Sequence, residues 1–495
     1  MAYPEPTEVS PWYLRNITQA LALNETTGNV YVRTDAQLTL SNVGNVNVSD
    51  VSVHDLGNID ISGNTMPVTV VGNVNVTQGT SPWVVSGNVN ANITGGNVAT
   101  TIGGTNLDAF GRLRVSEPYT LFDSQNRYID GDQFSNITAT GGNVVYVQNE
   151  SSFNLNVSAA SGSSVIRQCK TVQAYQPGKS LLTMNTFAMS TLKANLTQRV
   201  GYFTTGNGVY FEAVGTTLYL VIRSSTTGAV IEERIPQASW NGNTLLAGNP
   251  LGIVLDPTLT QIFWCDVEWL GVGNVRAGFV INGQFIVCHT FQHANQAGNT
   301  TVYMTTASLN PRYEITNTGA TTGNSTMKQI CNTVISEGGY NPLTKINYVP
   351  TSTAATRVAT GNVYTSLASI RLNPAYPDAV VVPSQIDLLL TDVQYGSFQL
   401  VVNASNVVAN TGSWSNATSS VVQYNKSALR IGDGTVVYSG LTSSRDTVTI
   451  SEDLKRRLQL SRSADGTPDI LTLCVAYQNN NADLLWKFGW EELTN

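Results

Sequence analysis

The sequence predicts an all-β protein with four parts: a short N-terminal docking segment, an intertwined β shaft and two β-sandwich or jelly-roll domains. Three observations lead to this prediction. Valine and isoleucine alternate with polar residues through much of the chain, which is the period of strands with one buried face. The tripeptide Gly-Asn-Val occurs eight times, and Gly-Asn favours the positive φ of tight turns. Helical periodicity is nearly absent.

Composition excludes several functional classes. The chain has 495 residues, long enough for about two to four domains. Its net charge of -7 argues against a nucleic-acid binder, which normally presents a basic face. Only 12% of residues are charged, but 41% are hydrophobic, which distinguishes the chain from disordered polar sequences. We therefore expect folded domains whose solubility comes from Asn, Thr, Ser and Gln.

From the sequence we expect neither a membrane-spanning helix nor a signal peptide. No apolar run approaches the ~18 residues of a membrane-spanning helix, so we predict no membrane insertion. The start, "MAYPEPTEVSPWY", lacks the basic and apolar regions of a signal peptide. The five cysteines are widely scattered with no C-x-x-C spacing, and we expect them to be reduced and mostly buried in a protein made in a reducing cytoplasm.

Residues 1–35 form a separate segment that is too short to have its own core. "WYLRNITQALAL" places three apolar residues at helical spacing and predicts one short helix, and "NETTGNVYVRT" predicts a turn and a strand. We expect the segment to dock onto a partner, with aromatic side chains as anchors. The candidate docking residues are Trp12, Tyr13, Leu14, Ile17 and Leu21. A simple cap on the next region is the alternative.

Residues 36–106 are a repeat region. The glycines at 44, 57, 72 and 87 are each followed by Asn or Asn-Val and then by a short alternating run such as "VNVSDVSV". Strands of this length bury too little apolar surface to offset their ordering entropy, and their open edges would favour aggregation. Several copies wound around one axis would solve both problems. The repeats therefore predict a fibre shaft of intertwined chains, most simply a homotrimer, with a single-chain β-solenoid as the alternative.

Residues 107–349 and 350–495 are predicted as two β-sandwich domains. The first contains short alternating segments such as "GVYFEAV", "TLYLVIR", "QIFWCDVEWL" and "TVYMTTA", separated by Gly, Asn and Pro turns. The second continues this pattern in "SLASIRL", "AVVVPSQIDLLLTDV" and "DILTLCVAYQ". Its one helical candidate is "SEDLKRRLQLS", with Ser451 as the N-cap.

Two groups of residues could carry chemistry. Asp266 and Glu268 are expected on one face of a strand, and paired carboxylates can cleave a glycosidic bond. Alternation along any half-buried strand also produces such pairs. His289 and His293, next to Cys288, would share a face if their strand continues, and could bind a metal with a third ligand. A polar strand end with surface histidines is the simpler explanation, so we predict no catalytic site, metal or cofactor.

Four aromatic residues are candidates for stacking against sugars: Tyr219, Trp264, Tyr303 and Tyr313. Most residues of this kind are expected in the core or at the edge of a sandwich.

Several segments resemble known virion proteins. "SPWYLRNITQALALNETTGNVYVRT" resembles the N-terminal segments of structural proteins from tailed phages, particularly those that infect cyanobacteria. "TQGTSPWVVSGNVN" is similar to the shaft repeats of phage fibres, and "NLDAFGRLRVSEPYTLFDSQNRY" with "WLGVGNVRAGFVINGQFIVCHTFQHAN" is similar to a β domain of phage tail and fibre proteins. The resemblance implies a virion component and carries over no catalytic residues.

These observations predict a non-enzymatic phage fibre that docks by its N-terminus on another virion protein and displays β domains for attachment to a host glycan or receptor. Two alternatives stay open. One is a tailspike-type glycan depolymerase, and the other is a head or neck protein that reinforces or decorates the particle.

Overall fold

The structure is a computed structural model of the chain. It describes residues 21–23, 30–32, 117–351, 353–358, 363–390, 395–410, 414–442, 445–478 and 482–493. The chain divides into two units, Met1–Ala99 and Thr100–Asn495. The predicted shaft, residues 36–106, lies outside the described residues.

In the first unit the described residues form two short strands, β1 (Leu21–Leu23) and β2 (Val30–Val32). They pair antiparallel, with Leu21 opposite Val32. The strand at Val30–Val32 agrees with the sequence prediction, but the prediction that a helix extends through Leu21 is wrong. Leu-Ala-Leu is compatible with either state, and the neighbouring Val-Tyr-Val favours a strand and supplies its pairing partner.

The first sandwich contains fifteen strands. They are β3 (Pro118–Ser124), β4 (Phe134–Ala139), β5 (Asn143–Val147), β6 (Ser152–Val157), β7 (Ser164–Cys169), β8 (Ser180–Ala188), β9 (Leu196–Phe203), β10 (Gly208–Val214), β11 (Thr217–Ser224), β12 (Ile231–Pro236), β13 (Gln261–Val267), β14 (Val275–Ile281), β15 (Gln284–Phe291), β16 (Pro311–Asn317) and β17 (Ser325–Glu337).

These strands build two antiparallel sheets that face each other across one core. The seven-stranded sheet has the order β12-β11-β10-β9-β16-β7-β4. The eight-stranded sheet has the order β15-β14-β13-β8-β17-β6-β5, with β3 also paired to β17. Inward residues of both sheets, including Phe211, Phe263 and Phe279, share one apolar cluster, and their rings lie 5.1 to 6.1 Å apart. Alternation along each strand therefore defines which side chains face outward.

The second sandwich follows the same principle with shorter strands. They are β18 (Lys345–Tyr348), β19 (Thr356–Val358), β20 (Thr365–Leu372), β21 (Val380–Leu390), β22 (Gly396–Val402), β23 (Ser415–Asn416), β24 (Val422–Asn425), β25 (Thr435–Thr442), β26 (Arg445–Thr449), β27 (Leu471–Tyr477) and β28 (Ala482–Leu493). One sheet has the order β18-β28-β21-β26, with β19 also on β28, and the other has the order β23-β24-β20-β27-β22-β25.

The described residues contain two short α-helices, both in the second sandwich: α1 (Ser405–Ala409) and α2 (Glu452–Arg457). Ser451 is the N-cap of α2, as predicted, but its side chain makes no capping hydrogen bond. Neither helix is long and apolar enough to span a membrane. The predicted all-β class and sandwich architecture are confirmed.

A ladder of arginines and glutamates covers part of the outer face of the seven-stranded sheet. Glu314 accepts hydrogen bonds from Arg199 Nη1 at 2.9 Å and from Arg312 Nε at 2.6 Å. Glu212 accepts from Arg199 and from Arg234, each at 2.7 Å. The side chains of Glu212, Glu314 and Arg312 are 0%, 7% and 3% exposed. These buried charges are stable because each has a close partner of opposite sign.

A polar network also crosses the core between the two sheets of the first sandwich. Arg167, on β7, is fully buried and donates through Nε to Gln329 of β17 at 2.7 Å. Gln329 donates to Asn332 at 3.0 Å, and Asn332 donates to the hydroxyl of Tyr313 at 2.7 Å. The Arg167 guanidinium lies 3.6 Å from the centre of the Phe153 ring. Burial lowers the pKa of Arg167, although the charge of Asp130 opposes this effect.

The two sandwiches contact each other through residues 456–464, which we call the clamp. Arg456 Nη2 donates to the backbone carbonyls of Thr120 and Leu121 at 2.8 and 2.7 Å. Its guanidinium lies 4.5 Å from the centre of the Tyr119 ring. Three further hydrogen bonds join Gln459 to Val172, Arg462 to Lys170 and Ala464 to Ser135. The clamp thus fixes the second sandwich against the first at several points.

Candidate functional site

The carboxylate pair identified in the sequence lies at the edge of a polar groove on the eight-stranded sheet. Asp266 is on the outer face of β13, whereas Phe263, Cys265 and Val267 point into the core. Glu268 follows the end of the strand and is exposed. The groove has a volume of about 520 Å³. It is lined by Gly178, Lys179, Ser180, Asp266, Glu268, Leu270, Asn274, Arg276, Thr290 and Glu337.

Asp266 is held in an ion pair with Arg276. The two residues are directly opposite each other on β13 and β14. Arg276 donates from both Nε, at 3.1 Å, and Nη2 to the same carboxylate oxygen, Oδ2. Asp266 is only 7% exposed, and its other oxygen, Oδ1, has no hydrogen-bond partner among the described residues. The pair therefore leaves one buried oxygen of Asp266 unsatisfied at the wall of the groove.

The opposite wall of the groove is also organised by hydrogen bonds. Ser180 Oγ donates to Glu337 Oε2 at 3.0 Å, across the paired strands β8 and β17. Lys179 Nζ donates to Gln176 Oε1 at 2.8 Å and to the carbonyl of Gly339 at 3.2 Å. Together with the Arg276–Asp266 pair, these contacts fix two cations, Lys179 and Arg276, and two carboxylates, Asp266 and Glu337.

Sequence reasoning found two of the lining residues and missed the others. Arg276 could have been found, because "VEWLGVGNVRAG" has the turn of a hairpin and counting back from it places Arg276 opposite Asp266. Lys179 precedes β8 and Glu337 ends β17, and both are distant from β13 in the sequence. Only the sheet order β13-β8-β17 brings them to the groove, and no local pattern encodes that order.

The two histidines each have their own hydrogen-bond partner. His289 Nδ1 accepts the backbone N–H of Asn241 at 3.1 Å. His293 Nδ1 lies 2.8 Å from the carbonyl of Gly273, and its ring stacks on Tyr303 at 3.9 Å. Burial lowers the pKa of both imidazoles. Across the described part of the chain, no group of three His, Cys, Asp or Glu side chains is arranged to hold a metal ion.

The aromatic candidates for sugar stacking are mostly covered. Tyr313, Trp264 and Tyr303 are 0%, 3% and 9% exposed, and Tyr219 is half-buried. Trp264 packs against Phe285 with ring centres 5.4 Å apart. None of the four lines the groove.

All five cysteines are free thiols, as the sequence predicted. Four are buried, and Cys331 is half-buried. Burial raises the pKa of Cys169 to about 11 and the pKa of Cys265, Cys288 and Cys474 to about 12. A thiolate is the reactive form, so these four thiols are poor nucleophiles near neutral pH.

Of the predicted docking residues, the structure describes Leu21 alone, in strand β1. Trp12, Tyr13, Leu14 and Ile17 lie outside the described residues.

No protein-family model matches the chain, and no curated protein matches it. Among solved structures, it is similar to a β-1,3-glucanase from Mycobacterium marinum, with 12% identity and a TM-score of 0.29 over 44% of this chain and 98% of that one. It is similar to arcelin-5, a lectin-like defence protein from Phaseolus vulgaris, with 8% identity and a TM-score of 0.25 over 45% of this chain and 99% of that one. It is also similar to a protein of unknown function from Shewanella oneidensis MR-1, with 9% identity and a TM-score of 0.30 over 48% of this chain and 94% of that one. At these identities and TM-scores the similarity does not extend to function.

Proposed function

We propose that the protein is a non-enzymatic structural component of a phage virion, a fibre assembled in the host cytoplasm. Residues 1–35 dock on another virion protein, and residues 36–106 wind several copies together, most simply as a homotrimer. The two β-sandwiches are displayed outward for attachment to the host surface. The repeats and the resemblance to phage fibre segments support the virion role.

The observation that carries the non-enzymatic part is the ion pair in the groove. A general acid or base must exchange a proton during the reaction. Asp266 instead accepts two hydrogen bonds from Arg276, so its Oδ2 is already occupied by a fixed donor. Of the predicted pair, Glu268 alone has no ion-pair partner among the described residues. A rigid surface of paired charges is suited to binding, and weak contacts suffice when several copies act together.

The shaft is tested by deleting residues 36–106. We expect the full-length chain to be an oligomer and the deleted chain to be a monomer, measured by light scattering coupled to size-exclusion chromatography. The sandwiches have their own cores, so circular dichroism of the deleted chain should still show β structure. A deleted chain that keeps the full-length stoichiometry would refute the shaft.

The docking role is tested in assembled particles with the double variant Trp12→Ala, Leu21→Ala. Large apolar anchors contribute a major share of interface affinity, so particles assembled with this variant should lack the protein. The measurement is quantitative mass spectrometry of purified virions. The matched control is Leu343→Ala, because Leu343 is a 76% exposed apolar residue outside the docking segment. Normal incorporation of the double variant would exclude docking through these residues.

A further inference from the structure

The groove of the first sandwich has unused hydrogen-bonding capacity that converges on one space. Glu268, Asn274 and Thr290 line the groove, and their side chains make no hydrogen bond to other described residues. Arg276 binds Asp266 through Nε and Nη2, which leaves Nη1 without a described partner. The buried Oδ1 of Asp266 is also unsatisfied. That oxygen is covered by protein atoms, so the capacity open to a ligand is that of Glu268, Asn274, Thr290 and Arg276 Nη1.

The charges of the groove select against ionic ligands. Three carboxylates, on Asp266, Glu268 and Glu337, face two cations, on Lys179 and Arg276. A phosphate, sulfate or carboxylate group would meet more negative than positive charge. A cation would meet Arg276, whose side chain is 56% exposed. The mixture of acceptors, amide and guanidinium instead suits a neutral group that both donates and accepts hydrogen bonds, as a hydroxyl does.

Two loops beside the groove carry exposed apolar side chains, which we call the rim. Leu270, which lines the groove, is 54% exposed, and Val272 and Val302 are 42% and 38% exposed. Gly271 brings the two loops together, since a Cβ at that position would lie 2.8 Å from Val302 Cγ1. A ligand that contacts both the groove and the rim must therefore have hydroxyl groups on one side and carbon-bound hydrogens on another.

We infer that this groove binds an uncharged sugar residue, and that it is the site through which the protein attaches to a host-surface glycan. The inference rests on the attachment role proposed above and names its ligand class. A volume of about 520 Å³ lies within the range of small-molecule sites. Arg276, fixed by Asp266, donates from Nη1 to one hydroxyl, and Glu268 and Thr290 bind the others. The rim of Leu270, Val272 and Val302 covers the apolar face of the sugar ring.

The test uses the full-length chain and the methyl glycosides of glucose, galactose, mannose, rhamnose and N-acetylglucosamine, with binding measured by saturation-transfer NMR. We expect at least one glycoside to bind weakly. Glu268→Gln should raise its Kd about tenfold, the effect of replacing a charged hydrogen-bond acceptor by a neutral one. Thr290→Val should also raise the Kd. Both residues lie outside the core, so the variants should fold, as circular dichroism will check.

The matched controls are Glu150→Gln and Thr217→Val, which make the same chemical changes at exposed positions outside the groove. They should leave the Kd unchanged. The inference is overturned if no neutral glycoside binds, if both groove variants bind normally, or if the anionic N-acetylneuraminate binds more tightly than every neutral sugar. Incorporation into virions is independent of this result, so failure of sugar binding and failure of the fibre role can be told apart.

Discussion

Replacement of Glu314 by alanine is expected to destabilise the first sandwich by about 3–5 kcal/mol, because removing one partner of a buried ion pair leaves an uncompensated buried charge. Glu314 accepts hydrogen bonds from both Arg199 and Arg312. Arg199 would keep Glu212, but Arg312, which is 3% exposed, would keep the side-chain amide of Gln168 as its one hydrogen-bond acceptor among the described residues. Urea unfolding at neutral pH, followed by circular dichroism, measures the change.

The same carboxylate should contribute to acid sensitivity. Burial alone would raise the pKa of Glu314, but the charges of Arg312 and Arg199 outweigh it and hold the pKa below its ordinary value. Because the folded-state pKa is the lower one, the stabilisation is present above the pKa of the unfolded chain, about 4.3, and is lost as pH falls through the folded-state pKa. Glu314→Gln should therefore flatten the loss of stability in this acidic range.

The matched control for Glu314 is Glu150→Ala. Glu150 pairs with Lys328 at the surface, where both side chains are substantially exposed. Exposed ion pairs contribute little because water screens them. Equal destabilisation by Glu150→Ala and Glu314→Ala would show that burial is not the reason why the ladder stabilises the first sandwich.

Replacement of Trp490 by alanine is expected to destabilise the second sandwich by about 3–5 kcal/mol, the usual cost of removing a large buried aromatic side chain. Trp490 is fully buried on the core face of β28. Its indole N–H donates to Glu492 Oε1 at 2.8 Å, and Glu492 is itself fully buried. The variant thus creates a cavity and removes a donor from a buried carboxylate. Differential scanning calorimetry measures the fall in the unfolding temperature of the second sandwich.

Two comparisons separate these effects. Trp490→Phe keeps most of the ring and loses the N–H, so it should cost clearly less than alanine. The equivalent change in the other core, Phe211→Ala, should lower the transition of the first sandwich instead. If Trp490→Ala leaves the calorimetric profile unchanged, the indole does not support the second core.

Alternation was sufficient to predict individual strands in both sandwiches. "GVYFEAV" and "TLYLVIR" are β10 and β11 in the first sandwich, and "SLASIRL" lies in β20 of the second. The prediction was wrong for "TVYMTTA", which is not a strand. There the buried Tyr303 stacks on His293, and the backbone N–H of Tyr303 donates to the carbonyl oxygen of Gly271. These tertiary contacts outweigh the β propensity of the segment.

The buried polar groups could not be predicted, because their partners are distant in the sequence. Nothing near Arg167 indicates that it will be fully buried, since Gln329 lies 162 residues away. The same limit applies to the groove, where Asp266 and Glu268 were visible as a pair but Lys179 and Glu337 were not. Local periodicity determines which face of the sheet a side chain lies on, whereas strand order determines which residues it contacts.

The clamp has a consequence for how this protein can evolve. Recombination that exchanged the second sandwich alone would bring a new segment against Tyr119 and the carbonyls of Thr120 and Leu121. Without an arginine at the position of Arg456, those carbonyls would lose the donor that bonds them at 2.8 and 2.7 Å. Residues 117–493 should therefore be inherited as one block, with viable crossovers falling on the N-terminal side of the first sandwich.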